Sequence, residues 1–318
     1  MRASRRHRVY GAGAPVKRGA PGASVTRRGA FALAGVGLMA ALGLSGCSSS
    51  EDGGVLTVAG STTVMPIAEM AAEQFEEETG TKVLVSGLGS SAGIEAVQNG
   101  TADIATSSRG LTEAEAATDL VTTVVALDGI AVIVNDDNPV SGLTMDQLRS
   151  IYAGETTNWS EVGGDDLQIL VVNRDEASGT REAFKKIVMD GTPFDRSAAV
   201  LPGTGQVRDV VSRTAGAIGY ISIGFIASDF TSSTVKSLAI DGVAATEENV
   251  ENGTYPVSRD LYFFTKGDPS GKVEDYIELV LSDEMSQTIR DAGYLPMSDA
   301  SYQARAKAAG AEEGGDAS

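Results

Sequence analysis

Val171-Val172-Asn173-Arg174-Asp175-Glu176-Ala177-Ser178-Gly179-Thr180-Arg181-Glu182-Ala183-Phe184 runs from an apolar strand through a small hydroxyl-rich turn into an amphipathic helix. Such a turn builds an anion site. Free N–H groups at the helix start, the positive end of the helix dipole, the Ser178 and Thr180 hydroxyls and the nearby Arg174 all favour an oxyanion. The same order recurs twice. Val55-Leu56-Thr57-Val58-Ala59-Gly60 leads into Ser61-Thr62-Thr63, and Lys82-Val83-Leu84-Val85 leads through Gly87-Leu88-Gly89 into Ser90-Ser91, each followed by a helical pattern. Taken singly, Ser178 reads as an ordinary helix cap, and Arg174 and Arg109 read as surface ion pairs contributing about 0–1 kcal/mol. Three such turns in one chain suggest one small tetrahedral anion held from several sides.

The chain begins with an export signal. Residues 1–47 hold Arg2, Arg5, Arg6, Arg8, Lys17, Arg18, Arg27 and Arg28 but no Asp or Glu, followed by an apolar, glycine-interrupted run from Ala30 to Leu44. This is the pattern of a secretory signal, and the run is shorter and less apolar than the ~20 residues a membrane span requires. It closes on Leu44-Ser45-Gly46-Cys47, which resembles a bacterial lipoprotein box whose cysteine becomes the lipidated first residue. Arg27-Arg28 leaves both the general secretory and the twin-arginine route open. The stretch before Arg27 is long for a signal, so the start codon is open as well.

Cleavage at Cys47 changes the charge balance. Eight of the 25 Lys+Arg lie before it, which leaves 17 against 43 Asp+Glu, a net of −26. Nucleic acid is an unsuitable partner for such a surface. A small anion would need a local site strong enough to overcome the long-range field, helped by a Debye length of about 8 Å. The single histidine is His7 and the single cysteine is Cys47. Beyond the signal there is therefore no Ser-His-Asp or Cys-His catalysis, no zinc site built on His or Cys, and no disulfide. Stability must come from a core, and about 270 residues suffice for two domains.

Element alternation indicates an α/β protein. After a Ser48–Gly54 linker come strand 55–59, helix 66–78 stopped by Gly80, strand 82–86, helix 92–98 and strand 102–106. A second block holds strands 123–127 and 130–134, helix 144–152, the lone Trp159, strand 167–172, helix 180–189 and strand 218–223. Strand 261–265 and one long helix 273–292 complete the pattern. Residues from Lys307 onward are mostly Ala, Gly and acidic, the composition of a disordered tail. Trp159 and Tyr220 read as core or hinge-packing residues, and Glu76-Glu77-Glu78 and Glu247-Glu248 as solvated faces. Asp165-Asp166 is weak support for a metal. Gly87-Leu88-Gly89-Ser90-Ser91-Ala92 superficially matches a dinucleotide fingerprint, but it sits at the second strand and lacks a ribose-binding acid in the right context. No Walker-type Gly-Lys-Ser/Thr occurs.

Several separated motifs then agree on a family. Gly60-Ser61-Thr62-Thr63, Gly89-Ser90-Ser91-Ala92-Gly93-Ile94, Asn99-Gly100-Thr101-Ala102-Asp103-Ile104, Ser107-Ser108-Arg109, Asp128-Gly129-Ile130-Ala131, Asn158-Trp159, Arg174 to Arg181, Gly216-Ala217-Ile218-Gly219-Tyr220 and Gly253-Thr254-Tyr255-Pro256 resemble, in order, the phosphate-binding lipoproteins of bacterial phosphate ABC importers. The resemblance spans nearly all of the chain beyond Cys47. It implies an α/β, two-domain periplasmic-binding-protein-like clamshell, each domain a mixed, mostly parallel sheet flanked by helices. Domain I would comprise residues 53–126 plus 258–306, domain II residues 127–257, with linker 48–52 and tail 307–318.

By the same resemblance the phosphate ligands are Thr62 and Thr63 on the first turn, Ser90 on the second, and Arg174, Ser178, Gly179 and Thr180 on the third. Ser108 stands where some members carry an aspartate that accepts the proton of phosphate, and Arg109, a donor-only side chain, follows it. Asp128 is the candidate replacement acceptor. With no carboxylate facing the ligand, selectivity over sulfate or arsenate would weaken. The implied protein is a monomeric receptor with no cofactor, metal or catalytic residue. It is anchored by lipid on Cys47 outside the cytoplasmic membrane and delivers inorganic phosphate to an ABC permease. Alternatives are a binder of sulfate, molybdate or phosphonate, a phosphate sensor or adhesin serving no permease, and, more distantly, an extracellular phosphatase.

Overall fold

The computed structural model describes residues 54–227 and 234–297 of the 318-residue chain. The signal with Cys47, the 48–52 linker and the 307–318 tail lie outside these residues. The strands are β1 (Leu56–Gly60), β2 (Val83–Gly87), β3 (Ile104–Ser107), β4 (Leu120–Asn135), β5 (Gly142–Leu143), β6 (Leu170–Arg174), β7 (Ala199–Leu201), β8 (Ala217–Ser222), β9 (Val235–Ser237), β10 (Ala239–Ile240), β11 (Ser258–Lys266) and β12 (Leu295–Pro296). The helices are α1 (Met65–Thr79), α2 (Ser90–Gln98), α3 (Glu113–Ala116), α4 (Met145–Ala153), α5 (Gly179–Phe184), α6 (Thr204–Arg213), α7 (Gly224–Ala227), α8 (Glu247–Glu251), α9 (Lys272–Leu281) and α10 (Asp283–Asp291).

A continuous ladder runs β2-β1-β3-β11-β4-β8-β6-β7, with β9 and β12 also on β4. The outer pairs β1–β2, β1–β3, β6–β8 and β6–β7 are parallel, as strand–helix–strand crossovers require, while β11 and β4 run antiparallel through the middle. Two large hydrophobic cores flank this centre. One is built from β1, α1, α9 and α10 with Val125, Ala126 and Leu261. The other draws on Ile130 through Val257, joined by Leu295. These are the two lobes of the clamshell, and β4 and β11 are the strands between them. Both cores lie within residues 50–318, which form one compact unit by themselves.

Local chemistry explains the elements that carry the turns. Strand β1 is buried on both faces, as a central parallel strand must be. Pro66 occupies the first turn of α1, where its missing N–H costs nothing. Gly80 ends that helix at φ 72°, its N–H returning to the Glu76 carbonyl. Gly60 sits at φ 142°, and a Cβ there would lie 2.1 Å from the Thr106 carbonyl, so only glycine lets β1 and β3 close together at their C-terminal ends. Its own carbonyl accepts the N–H groups of Leu88 and Gly89, each at 2.8 Å, which draws the second turn against the first.

Three sequence expectations change. The two strands expected at 123–127 and 130–134 are one 16-residue strand, β4. Asp128-Gly129 does not break it because Asp128 pairs across the ladder with Arg259, and a Cβ on Gly129 would come within 2.7 Å of Val250. The single helix expected at 273–292 is α9 and α10, divided at Ser282, whose extended backbone ends one helix while its hydroxyl caps the other by accepting from the Met285 N–H. The helix expected at 180–189 is α5 followed by a π-turn at Lys185–Met189. Trp159 is buried, its indole N–H donating to the Gly216 carbonyl at 3.0 Å, and Tyr220 is buried in the second core.

Candidate functional site

The three hydroxyl-rich turns converge. Ser61, Thr62 and Thr63 follow β1, Ser90 opens α2, Ser108 follows β3, and Thr180 lies in the first turn of α5; apart from the half-buried Thr62 all are buried. Within the first lobe the Ser61 hydroxyl donates to Ser108 Oγ at 3.0 Å, the Ser90 and Ser108 hydroxyls lie 3.3 Å apart, and the Ser108 N–H donates to Ser90 Oγ at 3.1 Å. Across the lobes Thr63 Oγ1 is 3.0 Å from Thr180 Oγ1, and Ser108 Oγ is 3.4 Å from it. With the Ser108 turn after β3 counted, a fifth turn joins them. Thr204, at the start of α6, places its hydroxyl 3.1 Å from that of Thr62 and 3.2 Å from that of Thr63.

Arg174 ends β6 in this cluster. Its Nη1 donates to Thr204 Oγ1 and its Nη2 to Thr62 Oγ1, both at 3.1 Å, so the guanidinium spans the cleft. Nε and Nη2 also donate to the carbonyls of Leu201 and Pro202, which fixes the plane of the fork. Beneath it, the Arg174 N–H donates to Asn173 Oδ1 at 2.8 Å and to the Tyr220 hydroxyl at 3.3 Å, and that hydroxyl itself donates to Asn173 Oδ1. The Tyr220 ring stacks on Phe184 at 4.2 Å, an arrangement contributing about 0.5–1.5 kcal/mol, so the second core holds the base of the arginine rigid. Arg174 is only 2 % exposed and among the described residues has no carboxylate partner. Burial lowers its pKa, partly offset by Tyr220 and Asp175. Guanidinium nonetheless remains charged. A buried unpaired cation is costly unless something anionic completes it.

Ser178 caps α5, its Oγ accepting from the Arg181 N–H at 3.2 Å and its proton remaining free to donate. Gly179 lies so close to the first lobe that a Cβ there would be 2.2 Å from Ser90 Oγ. Two of the residues singled out from sequence lie outside the cluster. Arg109 turns away. Its Nη1 and Nη2 engage the Glu115 carboxylate at 2.7 and 2.9 Å, and Nη2 also donates to Ser91 Oγ at 3.1 Å. It lines a cavity of about 760 Å³ shared with Glu182, Lys186, Val250 and Tyr262. Asp128 is buried behind Ser108, where Oδ2 accepts from Arg259 Nε and Nη2 at 3.0 and 2.8 Å and Oδ1 accepts from the Ser222 hydroxyl at 2.6 Å. Burial raises its pKa, opposed by the Arg259 charge and the Ser222 bond. Its oxygens are thus already engaged by protein donors.

Arg109 and Glu115 yield a pH prediction. The Arg109 hydrogen bonds hold the Glu115 carboxyl at about 2, against its usual 4.5. A depressed carboxylate stabilises the fold above the unfolded value and loses that contribution as pH falls from about 4.5 toward 2. Glu115→Gln is expected to flatten the acid limb of the stability curve, measured as urea midpoints at descending pH, with little change near neutrality in the pH dependence itself. An unaltered acid limb would show that the pair does not stabilise the fold.

Sequence reading missed Thr204 and Arg259. Pro202-Gly203-Thr204-Gly205 repeats the turn chemistry of the other three, but β7 before it is only three residues long, so no apolar run announces it. Arg259 lies inside β11 with no local motif. Among the described residues no group of three or more Asp, Glu, His or Cys could hold a metal ion, and Asp165-Asp166 is part of none; Asp166 accepts from the Asn158 amide.

A buried cation ringed by hydroxyls between two α/β lobes defines an anion-binding receptor of the clamshell class. The profile of the PBP superfamily domain matches residues 47–284. Phosphate-binding protein PstS of Bacillus subtilis is 34 % identical over 250 residues, covering 77 % of this chain and 82 % of that protein. A Clostridium perfringens structure with bound phosphate, assigned as a phosphate ABC transporter substrate-binding protein, superposes with a TM-score of 0.72 at 34 % identity, covering 77 % of this chain and all of that one. An ABC-type phosphate transport receptor from Vibrio cholerae gives 0.64 at 35 % identity, over 76 % of this chain and 99 % of that one. The chain belongs to the phosphate-binding protein family of the PBP superfamily.

Proposed function

We propose that this protein captures inorganic phosphate outside the cytoplasmic membrane by closure of its two lobes and delivers it to an ABC permease. The observation that carries the reading is Arg174, a buried guanidinium with no carboxylate partner among the described residues, whose fork donates to the Thr62 and Thr204 hydroxyls beside hydroxyls from three further turns. The ligand set is Thr62, Thr63, Ser90, Ser108, Arg174, Ser178, Gly179 and Thr180, joined by Thr204. Arg109 and Asp128 support it from outside. A micromolar dissociation constant corresponds to about −8 kcal/mol. Several charge-assisted bonds of about 1.5–3 kcal/mol each reach this after ordering costs. The hydroxyls satisfy one another when the anion leaves, so no fixed charge besides Arg174 is stranded.

The lobes correspond to residues 53–126 with 258–306 and to residues 127–257, hinged where β4 and β11 pass between them. Only the closed shape presents both rims together, which is what a permease can read. The protein acts as a non-catalytic monomer, held at the membrane by lipid on Cys47. Among the described residues no helix is long and apolar enough to span a bilayer. A second reading, weaker discrimination against sulfate, is favoured by the engagement of both Asp128 oxygens. Hydroxyls then have to accept the phosphate proton, which they can do as acceptors as well as donors.

Titration calorimetry tests both readings on the protein from Ser48 onward, stripped of anion by unfolding and refolding. Phosphate should bind at micromolar strength or better, with sulfate weaker by less than about a hundredfold (about 2.8 kcal/mol). Absence of phosphate binding would overturn the function, and a larger sulfate gap would restore a carboxylate acceptor.

A further inference from the structure

The hydrogen bonds behind Ser108 form a chain that crosses from one lobe to the other. Ser222, ending β8 in the second lobe, donates to Asp128 Oδ1 in the middle of β4. Arg259, the cross-strand neighbour of Asp128 on β11, gives Nε and Nη2 to Asp128 Oδ2 and Nη1 to the Ser108 carbonyl at 3.0 Å. Asp128 is fully buried and the Arg259 side chain is 5 % exposed. Each guanidinium nitrogen and each carboxylate oxygen has a protein partner, and the atom of Ser108 that Arg259 reaches is its carbonyl oxygen, not the hydroxyl in the cluster. Their charges still act there. Between buried charges the effective dielectric is about 20 or less, and screening by salt is weak.

We propose that Asp128 and Arg259 are a charge-setting pair that fixes anion affinity from behind Ser108, Arg259 adding positive potential to the site and Asp128 subtracting it. Arg259 also holds the Ser108 carbonyl, and with it the Ser108 hydroxyl and N–H, in register with Ser90. Both are positioning residues, acting through Ser108 and through space. Their sum is near zero, which leaves Arg174 as the net charge felt by the anion. This rests on the phosphate-receptor reading above. It explains why a carboxylate can persist so near an anion site in an acidic protein: its field is cancelled locally by a partner that also builds the site. The tyrosines facing the pair, Tyr220, Tyr255 and Tyr294, are all pushed up by burial and stay neutral, so they add no competing charge near neutral pH.

The test is a charge-cancellation cycle in the protein from Ser48 onward, which retains the self-contained folded unit. Phosphate affinity is measured by calorimetry at one pH and ionic strength for the parent, Arg259→Gln, Asp128→Asn and the double variant, with thermal unfolding of each without phosphate. Arg259→Gln should weaken phosphate by about tenfold or more, because it leaves an unpaired negative charge behind the site. Asp128→Asn should tighten it by about tenfold, each tenfold corresponding to about 1.4 kcal/mol. The double variant should recover the electrostatic share of the loss seen in Arg259→Gln, the bond to the Ser108 carbonyl staying broken. Both single variants should unfold earlier than the parent, since each breaks a buried pair. A purely structural role predicts that affinity falls in both single variants and that the double variant does no better, and that outcome overturns the proposal. If Arg259→Gln does not fold, the sign of the change in Asp128→Asn decides alone. Failure of the parent to bind phosphate would instead overturn the receptor reading.

Discussion

Replacing Arg174 by alanine is expected to weaken phosphate binding by about a thousandfold. At least two charge-assisted bonds to the anion are lost, each about 1.5–3 kcal/mol, and a thousandfold corresponds to about 4.1 kcal/mol. The fork now reaches Thr62 and Thr204 at 3.1 Å from opposite lobes, so the same substitution also removes a strut that draws the lobes together around the ligand. Arg174→Lys should restore only part of the loss, because a single ammonium cannot serve both lobes and the Leu201 and Pro202 carbonyls at once. Circular dichroism should report a retained fold, since among the described residues no carboxylate is ion-paired to Arg174. A dissociation constant within about threefold of the parent value, about 0.7 kcal/mol, would remove Arg174 from the site.

Gly179→Ala is the second large effect, and its mechanism is different. The added methyl would lie 2.2 Å from Ser90 Oγ and 2.8 Å from both Ser108 Oγ and Ser90 Cβ. These atoms belong to the first lobe, and Gly179 to the second. Each lobe keeps its own core, so folding should survive while the final approach of the lobes is blocked. The phosphate signal in calorimetry should vanish, phosphate should no longer raise the unfolding temperature, and small-angle scattering should show no compaction on adding phosphate. Gly205→Ala supplies the control. That glycine lies in α6 beside the site, nothing stands within 4 Å of its Cβ direction, and alanine is the better helix former by about 1 kcal/mol. Ligand-induced compaction in Gly179→Ala would show that closure tolerates the methyl and that the clash relaxes by side-chain movement alone.

What could be read from the sequence follows from how local each signal is. Turns after β1 and β2 and at the start of α5 were legible because an apolar strand, small hydroxyl residues and an amphipathic helix succeed one another within about a dozen residues. Thr204 uses the same chemistry, but its strand is too short to register. Arg259 reaches the site region only through a ladder that pairs it with Asp128, 131 positions away, and such pairing leaves no local trace. Asp128 and Arg109 were drawn toward the ligand by their chemical type. Their partners, Arg259, Ser222 and Glu115, are fixed by tertiary packing, and these occupy the atoms that would otherwise face an anion. The apparent break at Asp128-Gly129 and the apparent continuity through Ser282 are two sides of one limitation. Strand and helix propensities are weak priors, overridden where a buried pair or a shared cap supplies what the local residues lack.

The position of β11 governs the order in which this molecule can be assembled. It separates β3 from β4 and hydrogen-bonds to both, yet it is made more than a hundred residues after either. Until Lys266 has been added to the chain, β3 presents a bare edge and the first core lacks Leu261, Phe263 and the two helices that follow. The second core is drawn almost wholly from one uninterrupted stretch and meets no such delay. The lobe begun first is therefore completed last. A chain interrupted before β11 would carry a finished second lobe beside a first lobe open to proteases and to pairing with another chain.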